Sequence, residues 1–335
     1  MVNDILSIIQ KNFPLTQKPF LEIAKQLGIT EVEVLDILQK EKDNKIIRQT
    51  SAIFDTKSLG FKSSLIAFKV KKEDIDKAVE VINAHPGVSH NYERDHDFNI
   101  WFTIAVDPKS KLGLEKSVEI LAKETKAEDF IILPTLKMFK ISVKLNTTGK
   151  DAKKEKVKKR VKKDITLTSL HYDIIKLVQE DIDIVSEPFK NIIDKLSIDY
   201  DTFFRVLQEL QDAGVMRRFA AILNHRKAGF NANAMTVWDV DEEKGEEIGK
   251  IAAEFSAVSH CYLRPKYPNW PYNLFTMIHG KTTEETNGII ADIASEIEHK
   301  AKRPLYSTRE FKKVRLKYFT PDFLEWEEKH LKDAS

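Results

Sequence analysis

The segment Val88-Ser89-His90-Asn91-Tyr92-Glu93-Arg94 returns as Val258-Ser259-His260-Cys261-Tyr262-Leu263-Arg264, 170 positions later in a chain of 335 residues. Other stretches recur at nearly the same spacing. Lys45 to Phe54 aligns without gaps on Gly214 to Leu223, Leu59-Gly60-Phe61 on Ala228-Gly229-Phe230, and Phe98-Asn99-Ile100 on Tyr272-Asn273-Leu274. Each half also ends on a matched pair, Phe139-Lys140 and Phe311-Lys312. A period this long is the size of a domain, so the chain must fold as two related units and not as a solenoid of short repeats.

Each unit opens with helical periodicity. Leu21, Ile23, Ala24 and Leu27 lead to Gly28, a helix stop, and Thr30, an N-cap for a second helix carrying Val32, Val34, Leu35 and Leu38. With Ile46-Ile47-Arg48 behind it, this reads as a helix-turn-helix with a short wing. The second copy repeats it with Phe189, Ile192, Ile193 and Leu196, a Ser-Ile-Asp turn, then Phe203, Phe204, Leu207 and Leu210. After each wing the pattern becomes strand, helix (73–84; 242–254), strand, strand, helix (112–125; 283–298), strand. This βαββαβ order predicts a ferredoxin-like sheet with helices on one face and the other face free for a partner. The expected fold class is α+β, a tandem repeat of winged helix-turn-helix plus ferredoxin-like domain. The expected domains are 1–55 and 169–224 for the helix-turn-helix copies, and 56–146 and 225–325 for the ferredoxin-like copies. Residues 147–168 form a tether, because Lys150 to Lys163 is almost wholly charged. The two sheets are expected to pair as an internal pseudo-dimer, with higher oligomers left open.

Composition removes several classes of function. The formal net charge is +2, so no global attraction to nucleic acid or membrane is implied. With one cysteine, Cys261, neither an intrachain disulfide nor a multi-cysteine metal site can form. No apolar run approaches a membrane span, and the start shows no signal-peptide pattern, so a cytoplasmic protein is expected. Helix-turn-helix units suggest DNA, but the second helices carry the wrong charge. Thr30 to Lys40 sets Glu31, Glu33 and Asp36 against Lys40, and Asp199 to Asp212 sets four acids against Arg205. Helices of net charge −2 and −3 would be repelled by phosphates, so DNA is not an expected partner.

The twin His-x-Tyr-x-Arg motif remains. At i, i+2, i+4 in a strand all three side chains share a face, offering a proton carrier, a hydroxyl and a guanidinium fork. Arg48, Arg217 and Arg218 near the wings, with Arg94 and Arg264, suggest a ligand rich in carboxylates. Exposed arginines in ordinary ion pairs are the plainer reading of any one of them. The flanks differ between halves: Asp95-His96-Asp97 in the first, an aromatic, proline-stiffened loop with Tyr267 and Trp270 in the second.

On these residues the chain resembles the siroheme decarboxylases, a branch of the Lrp/AsnC fold. The resemblance is carried by Arg48 to Phe54 and His85 to Phe102 in the first half, and by Gly214 to Ile222 and Val258 through Trp270-Pro271-Tyr272 to Gly280 in the second. It covers both units except the tether and tail, and it implies that small and large partners, often separate subunits, are fused here. The implied activity removes CO2 from two acetate side chains of siroheme, giving 12,18-didecarboxysiroheme for an alternative heme route or for heme d1. The implied ligands are siroheme and related tetrapyrroles, with downstream biosynthetic enzymes as further partners. No cofactor or resident metal is expected, since the iron belongs to the substrate.

Decarboxylating a pyrrole acetate leaves a carbanion that must be protonated, and histidine has about the right pKa for the task. His90, His96 and His260 are the catalytic candidates, and ligation of the siroheme iron is open to the same three. Arg48, Tyr92, Arg94, Arg217, Arg218, Tyr262, Arg264 and Trp270 are the substrate-binding candidates. Cations on the leaving carboxylate would stabilise the ground state, so arginines are expected on carboxylates that stay. The alternative is a regulator of the same fold that senses heme or a tetrapyrrole; a third reading is a tetrapyrrole carrier without turnover.

Overall fold

The structure, a computed structural model, describes residues 1–11, 13–141, 163–224 and 232–332. Most of the expected tether, and the repeat residues Gly229 and Phe230, lie outside them. The first copy runs α1 (Val2–Lys11), α2 (Pro19–Leu27), α3 (Glu31–Asp43), β1 (Ile47–Phe54), β2 (Lys62–Lys69), α4 (Ile75–Ala84), β3 (Val88–Arg94), β4 (Ile100–Val106), α5 (Gly113–Glu124), β5 (Asp129–Leu133) and β6 (Lys137–Ile141). The second runs α6 (Ser169–Val178), α7 (Lys190–Leu196), α8 (Tyr200–Asp212), β7 (Met216–Leu223), β8 (Ala232–Asp239), α9 (Gly245–Glu254), β9 (Val258–Leu263), β10 (Leu274–Gly280), α10 (Thr283–Glu296), β11 (Ala301–Lys313) and α11 (Asp322–Lys332). Two compact units result, and they sort the chain by kind of element: the helix-turn-helix copies together, the ferredoxin-like copies together.

In the helical unit, Gly28 ends α2 at φ +69°, a left-handed conformation that costs glycine little. Thr30 then starts α3 with a capping box: its side chain accepts from the Glu33 amide while the Glu33 carboxylate accepts from the Thr30 amide. Asp199 caps α8 by accepting from the Thr202 amide. The expected wing takes a different form. Instead of a hairpin within each copy, β1 pairs antiparallel with β7 of the other copy, so the two helix-turn-helix copies share one ribbon. Short apolar strands with no local partner satisfy their backbone across the repeat.

The sheet unit contains nine strands in the order β5-β2-β4-β3-β11-β8-β10-β9-β6. Within it β5-β2-β4-β3 and the first half of β11 with β8-β10-β9 are the two expected ferredoxin-like sheets. Alternation divides each strand between two cores. Ile66, Phe68, Ile100, Phe102 and Ile104 face α4 and α5, and Trp238, Leu274 and Ile278 face α9 and α10. The opposite faces meet each other: Ala67, Trp101, Ile131 and Leu133 of the first copy pack with Met235, Val237, Phe275 and Leu305 of the second. That apolar layer is the expected pseudo-dimer, and packing both faces explains why β4 is buried at six of its seven positions.

The matched Phe-Lys pairs prove to be exchanged arms. β6 of the first copy pairs with β9 of the second, and the far half of β11 pairs with β3 of the first. Phe139 thereby packs into the helix-facing core of the second copy, and Phe311 into that of the first. Lys140 donates to the Phe255 carbonyl at the end of α9 (2.8 Å), and Lys312 to the Asn83 carbonyl near the end of α4 (2.7 Å). Cations there also complement the helix dipoles.

The chain continues past β11. Tyr318 exchanges two hydrogen bonds with Gln179 in the helical unit. The helix α11 then lies in the sheet unit, where the Glu327 carboxylate accepts from the amides of Lys111 and Leu112 at the start of α5. Trp326 packs against His85 with ring centroids 4.3 Å apart.

His85 is buried, and its Nδ1 accepts from the Gly87 amide. Burial first, then Lys312 and His330, push its pKa from 6.5 down to about 3. Above pH 6.5 both folded and unfolded chains leave this ring neutral, so its contribution to stability is complete. As the pH falls from 6.5 toward 3, only the unfolded chain takes up the proton, and stability drops by about 1.4 kcal/mol per pH unit. Thermal melts should therefore show a lower Tm at pH 5 than at pH 7, with a shallower slope in His85→Gln. A slope unchanged by that substitution would contradict the assignment.

Candidate active site

The two His-x-Tyr-x-Arg strands do present their trios on one face, and that face is the layer between the sheets. Tyr92 sits opposite Trp101, and Tyr262 opposite Phe275, both members of the inter-sheet core. Asn91 and Cys261, one position away, turn to the helices instead. Within each trio the rings stack similarly: His90 on Tyr92 at 6.4 Å and 28°, His260 on Tyr262 at 6.2 Å and 30°. Arg94 lies over Tyr92 at 5.6 Å, and Arg264 over Tyr262 at 4.9 Å.

The arginines of the trios require a correction. Neither is an open fork. Arg94 is 5% exposed and donates from Nη1 to the Leu305 carbonyl (2.8 Å) and the Ser307 hydroxyl (3.2 Å). Arg264 is 8% exposed and donates to the Leu133 carbonyl and the Thr135 hydroxyl, the latter at 3.1 Å. Each guanidinium thus ties one copy to the last sheet strand of the other. Burial lowers both pKa values to about 10, which keeps them charged at neutral pH. A buried cation is tolerable here because carbonyl dipoles solvate it in place of water.

Trp270 is likewise corrected. It is 1% exposed and wedged among Trp101 (5.2 Å), Tyr272 (5.1 Å) and Phe98 (6.1 Å). The aromatic, proline-stiffened loop is pinned at Tyr267, whose hydroxyl donates to the Ile132 carbonyl (2.6 Å) and whose backbone bridges to Trp270. His96 packs edge-on against Trp270 at 5.3 Å, and its Nδ1 accepts from the Phe98 amide. Burial, and then Arg303, hold its pKa below the ordinary value against the opposing pull of Asp97 and Asp95.

Arg48, Arg217 and Arg218 belong to the helical unit, exposed on β1 and β7. Arg217 pairs with Asp55, Nη2 to Oδ2 at 2.6 Å and Nε to the same oxygen at 3.2 Å; burial pushes the Asp55 pKa up, but Arg217 and Ser58 together bring it below the ordinary value.

The histidines have unequal surroundings. Ser89 bonds His90 Nδ1 at 3.0 Å and the Thr103 hydroxyl at 2.9 Å. In the second copy a longer chain forms. Asn233 Oδ1 lies 2.7 Å from His279 Nδ1, His279 Nε2 lies 2.6 Å from Ser259 Oγ, and Ser259 Oγ lies 2.7 Å from His260 Nδ1. For neutral rings this chain has one consistent direction. Nδ1–H of His279 donates to Asn233, the serine hydroxyl donates to His279 Nε2, and His260 Nδ1–H donates to the serine. The lone pair of His260 Nε2 lies at the end of this chain. Burial lowers the His260 pKa, and burial, His260 and Lys313 together bring His279 down to about 4. Both rings are therefore neutral at pH 7.

His279, Ser259 and Asn233 were not singled out from the sequence. The signal was present, since Ser precedes His in both halves and His279 lies within the longest matched stretch. The repeat register puts Ala105 at the His279 position, so looking only for matched residues passes over it. Among the described residues no cluster of three or more His, Cys, Asp or Glu side chains could hold a metal ion, and no helix is long and apolar enough to cross a membrane.

Paired ferredoxin-like sheets with paired helix-turn-helix units define a class. The AsnC-like ligand binding domain matches residues 58–140 and 227–312, and the siroheme decarboxylase NirDL-like HTH domain matches 3–48 and 172–217. The siroheme decarboxylase of Hydrogenobacter thermophilus is 41% identical over 322 residues, covering 96% of each chain. The beta subunit of the Methanosarcina barkeri siroheme decarboxylase is 45% identical over 141 residues, covering 42% of this chain and 93% of that subunit. The crystal structure of the siroheme decarboxylase NirDL superposes with a TM-score of 0.81 at 36% identity, covering 99% of both chains. The same enzyme in complex with an iron-uroporphyrin III analogue gives 0.80 at 35% identity and the same coverage. The chain belongs to the siroheme decarboxylase family.

Proposed function

We propose that this protein is a carboxy-lyase that removes CO2 from two acetate side chains of siroheme, giving 12,18-didecarboxysiroheme on a route to heme or heme d1. The observation that carries this reading is 41% identity to a siroheme decarboxylase over 96% of both chains. The hydrogen-bonded chain Asn233-His279-Ser259-His260 supplies the chemistry. As each acetate loses CO2, the bonding pair passes to the exocyclic carbon and into the pyrrole. A proton from a histidine converts that carbon to a methyl group. His260 is neutral at rest, but the many carboxylates of siroheme raise the pKa of a ring they approach. Nε2 can then take up a proton and deliver it, while Ser259 and His279 hold the ring's orientation. No organic cofactor is needed for these steps, because the pyrrole accepts the charge.

The regulator reading loses further ground at the helix-turn-helix. The one cation of α8, Arg205, is paired with Glu209 at 2.7 Å, and Glu31 at the start of α3 accepts from Ser186 of the other copy. The helix end that would reach base edges is acidic and engaged. Anaerobic incubation with siroheme tests the proposal: the product should have lost two carboxyl groups. Unchanged siroheme at stoichiometric protein would overturn it.

A further inference from the structure

The exchanged arms bring one residue of each copy beside the other copy's histidine, and these two residues differ. On β11, Lys313 is the cross-strand partner of His90; on β6, Ile141 is the partner of His260. Directly opposed residues in an antiparallel pair project on the same side, so each shares its histidine's inter-sheet face. The neighbouring lysines, Lys312 and Lys140, turn the other way, to the ends of α4 and α9. Lys313 and Ile141 occupy the same repeat position, so the difference is a property of the two sites and not of the register. The rest of each site diverges too: Ser89 bonds the Thr103 hydroxyl, whereas Ser259 meets the Met277 carbonyl and the His279 ring.

We infer that Lys313 anchors a carboxylate that siroheme keeps, on the His90 side, and that Ile141 puts no ammonium opposite His260, where the acetate reacts. This rests on the proposed reaction and gives it a direction. An ammonium on the leaving carboxylate would stabilise the ground state more than the transition state, where that charge departs as CO2. The same ammonium on a retained carboxylate holds the macrocycle in place without that penalty. Glu310, 3.9 Å from Lys313 along the strand, forms an exposed ion pair of the weak kind that yields to a better-placed carboxylate. Lys313 is the smallest contributor to the lowered His279 pKa, after burial and His260, while His260 itself is lowered by burial alone. A single reacting pocket requires both acetates to visit the His260 side in turn.

Exchanging the two residues tests this. Lys313→Ile should weaken siroheme binding, read from the visible spectrum, roughly tenfold or more, with Lys313→Arg restoring it. Ile141→Lys should leave binding equal or tighter and lower kcat at least tenfold, with singly decarboxylated product accumulating. Circular dichroism and melting temperature confirm that each variant folds. Unchanged binding in folded Lys313→Ile, or unchanged kcat in folded Ile141→Lys, would overturn the inference. Failure of the proposed reaction is read separately, from wild-type protein that binds siroheme without releasing CO2.

Discussion

His260→Ala should lower siroheme turnover by roughly 10²- to 10⁴-fold, the usual range for a lost general acid or base, while the visible spectrum of bound siroheme still reports stoichiometric binding. The expectation follows from the position of Nε2 at the end of an oriented chain whose other members are already satisfied. His279→Ala should produce a smaller loss and move the acid limb of the pH–rate profile, because it removes the group that orients the Ser259 hydroxyl, and through it the His260 tautomer, without touching substrate. A purely structural role for His279 would lower the amount of folded enzyme and leave that limb in place. If His260→Ala turns over at the wild-type rate, the protonating group lies elsewhere, and the His90 site becomes the one to examine.

Trp270→Ala should cost about 3–5 kcal/mol of stability, the range for deleting a large aromatic from a packed core. The indole fills the layer between the two sheets against Trp101, Phe98 and Tyr272. Its loss should be felt in both copies at once, as one cooperative transition at lower denaturant. Denaturant unfolding followed by circular dichroism checks this. A platform that merely received a flat ligand would behave differently: Trp270→Ala would then keep wild-type stability and lose only affinity for siroheme.

These two residues illustrate what the sequence reveals and where it stops. Local chemistry was legible. Gly28 and Thr30 end one helix and begin the next as their backbone preferences require, and alternation correctly put His, Tyr and Arg on a common strand face. The order of strands and helices sufficed for the ferredoxin-like copies. Alternation names a face but not what the face meets. Arg94 and Arg264 were therefore read as open forks, although each reaches a backbone carbonyl supplied from more than 130 residues away. Trp270 sits in a loop of polar and proline residues, a context that reads as exposed until Trp101 and Phe98 close over it.

The remaining surprises are all long-range pairings. The ribbon of β1 with β7, the arms β6 and β11, and the return of the chain into α11 each join segments far apart in sequence, and no local pattern encodes the partner. The matched Phe-Lys endings were visible as a repeat, but their crossing to the opposite copy was not. That crossing makes the two histidine sites composite and unequal, with Lys313 in one and Ile141 in the other.

The central claim is that the reaction is a decarboxylation completed by protonation from an exchangeable group in the protein. Siroheme turned over anaerobically in D2O should yield a product that has lost two carboxyl groups and carries one deuterium in each of the two new methyl groups. Loss of CO2 without deuterium in those methyl groups would mean that hydrogen arrives from a non-exchangeable source, and would contradict the account.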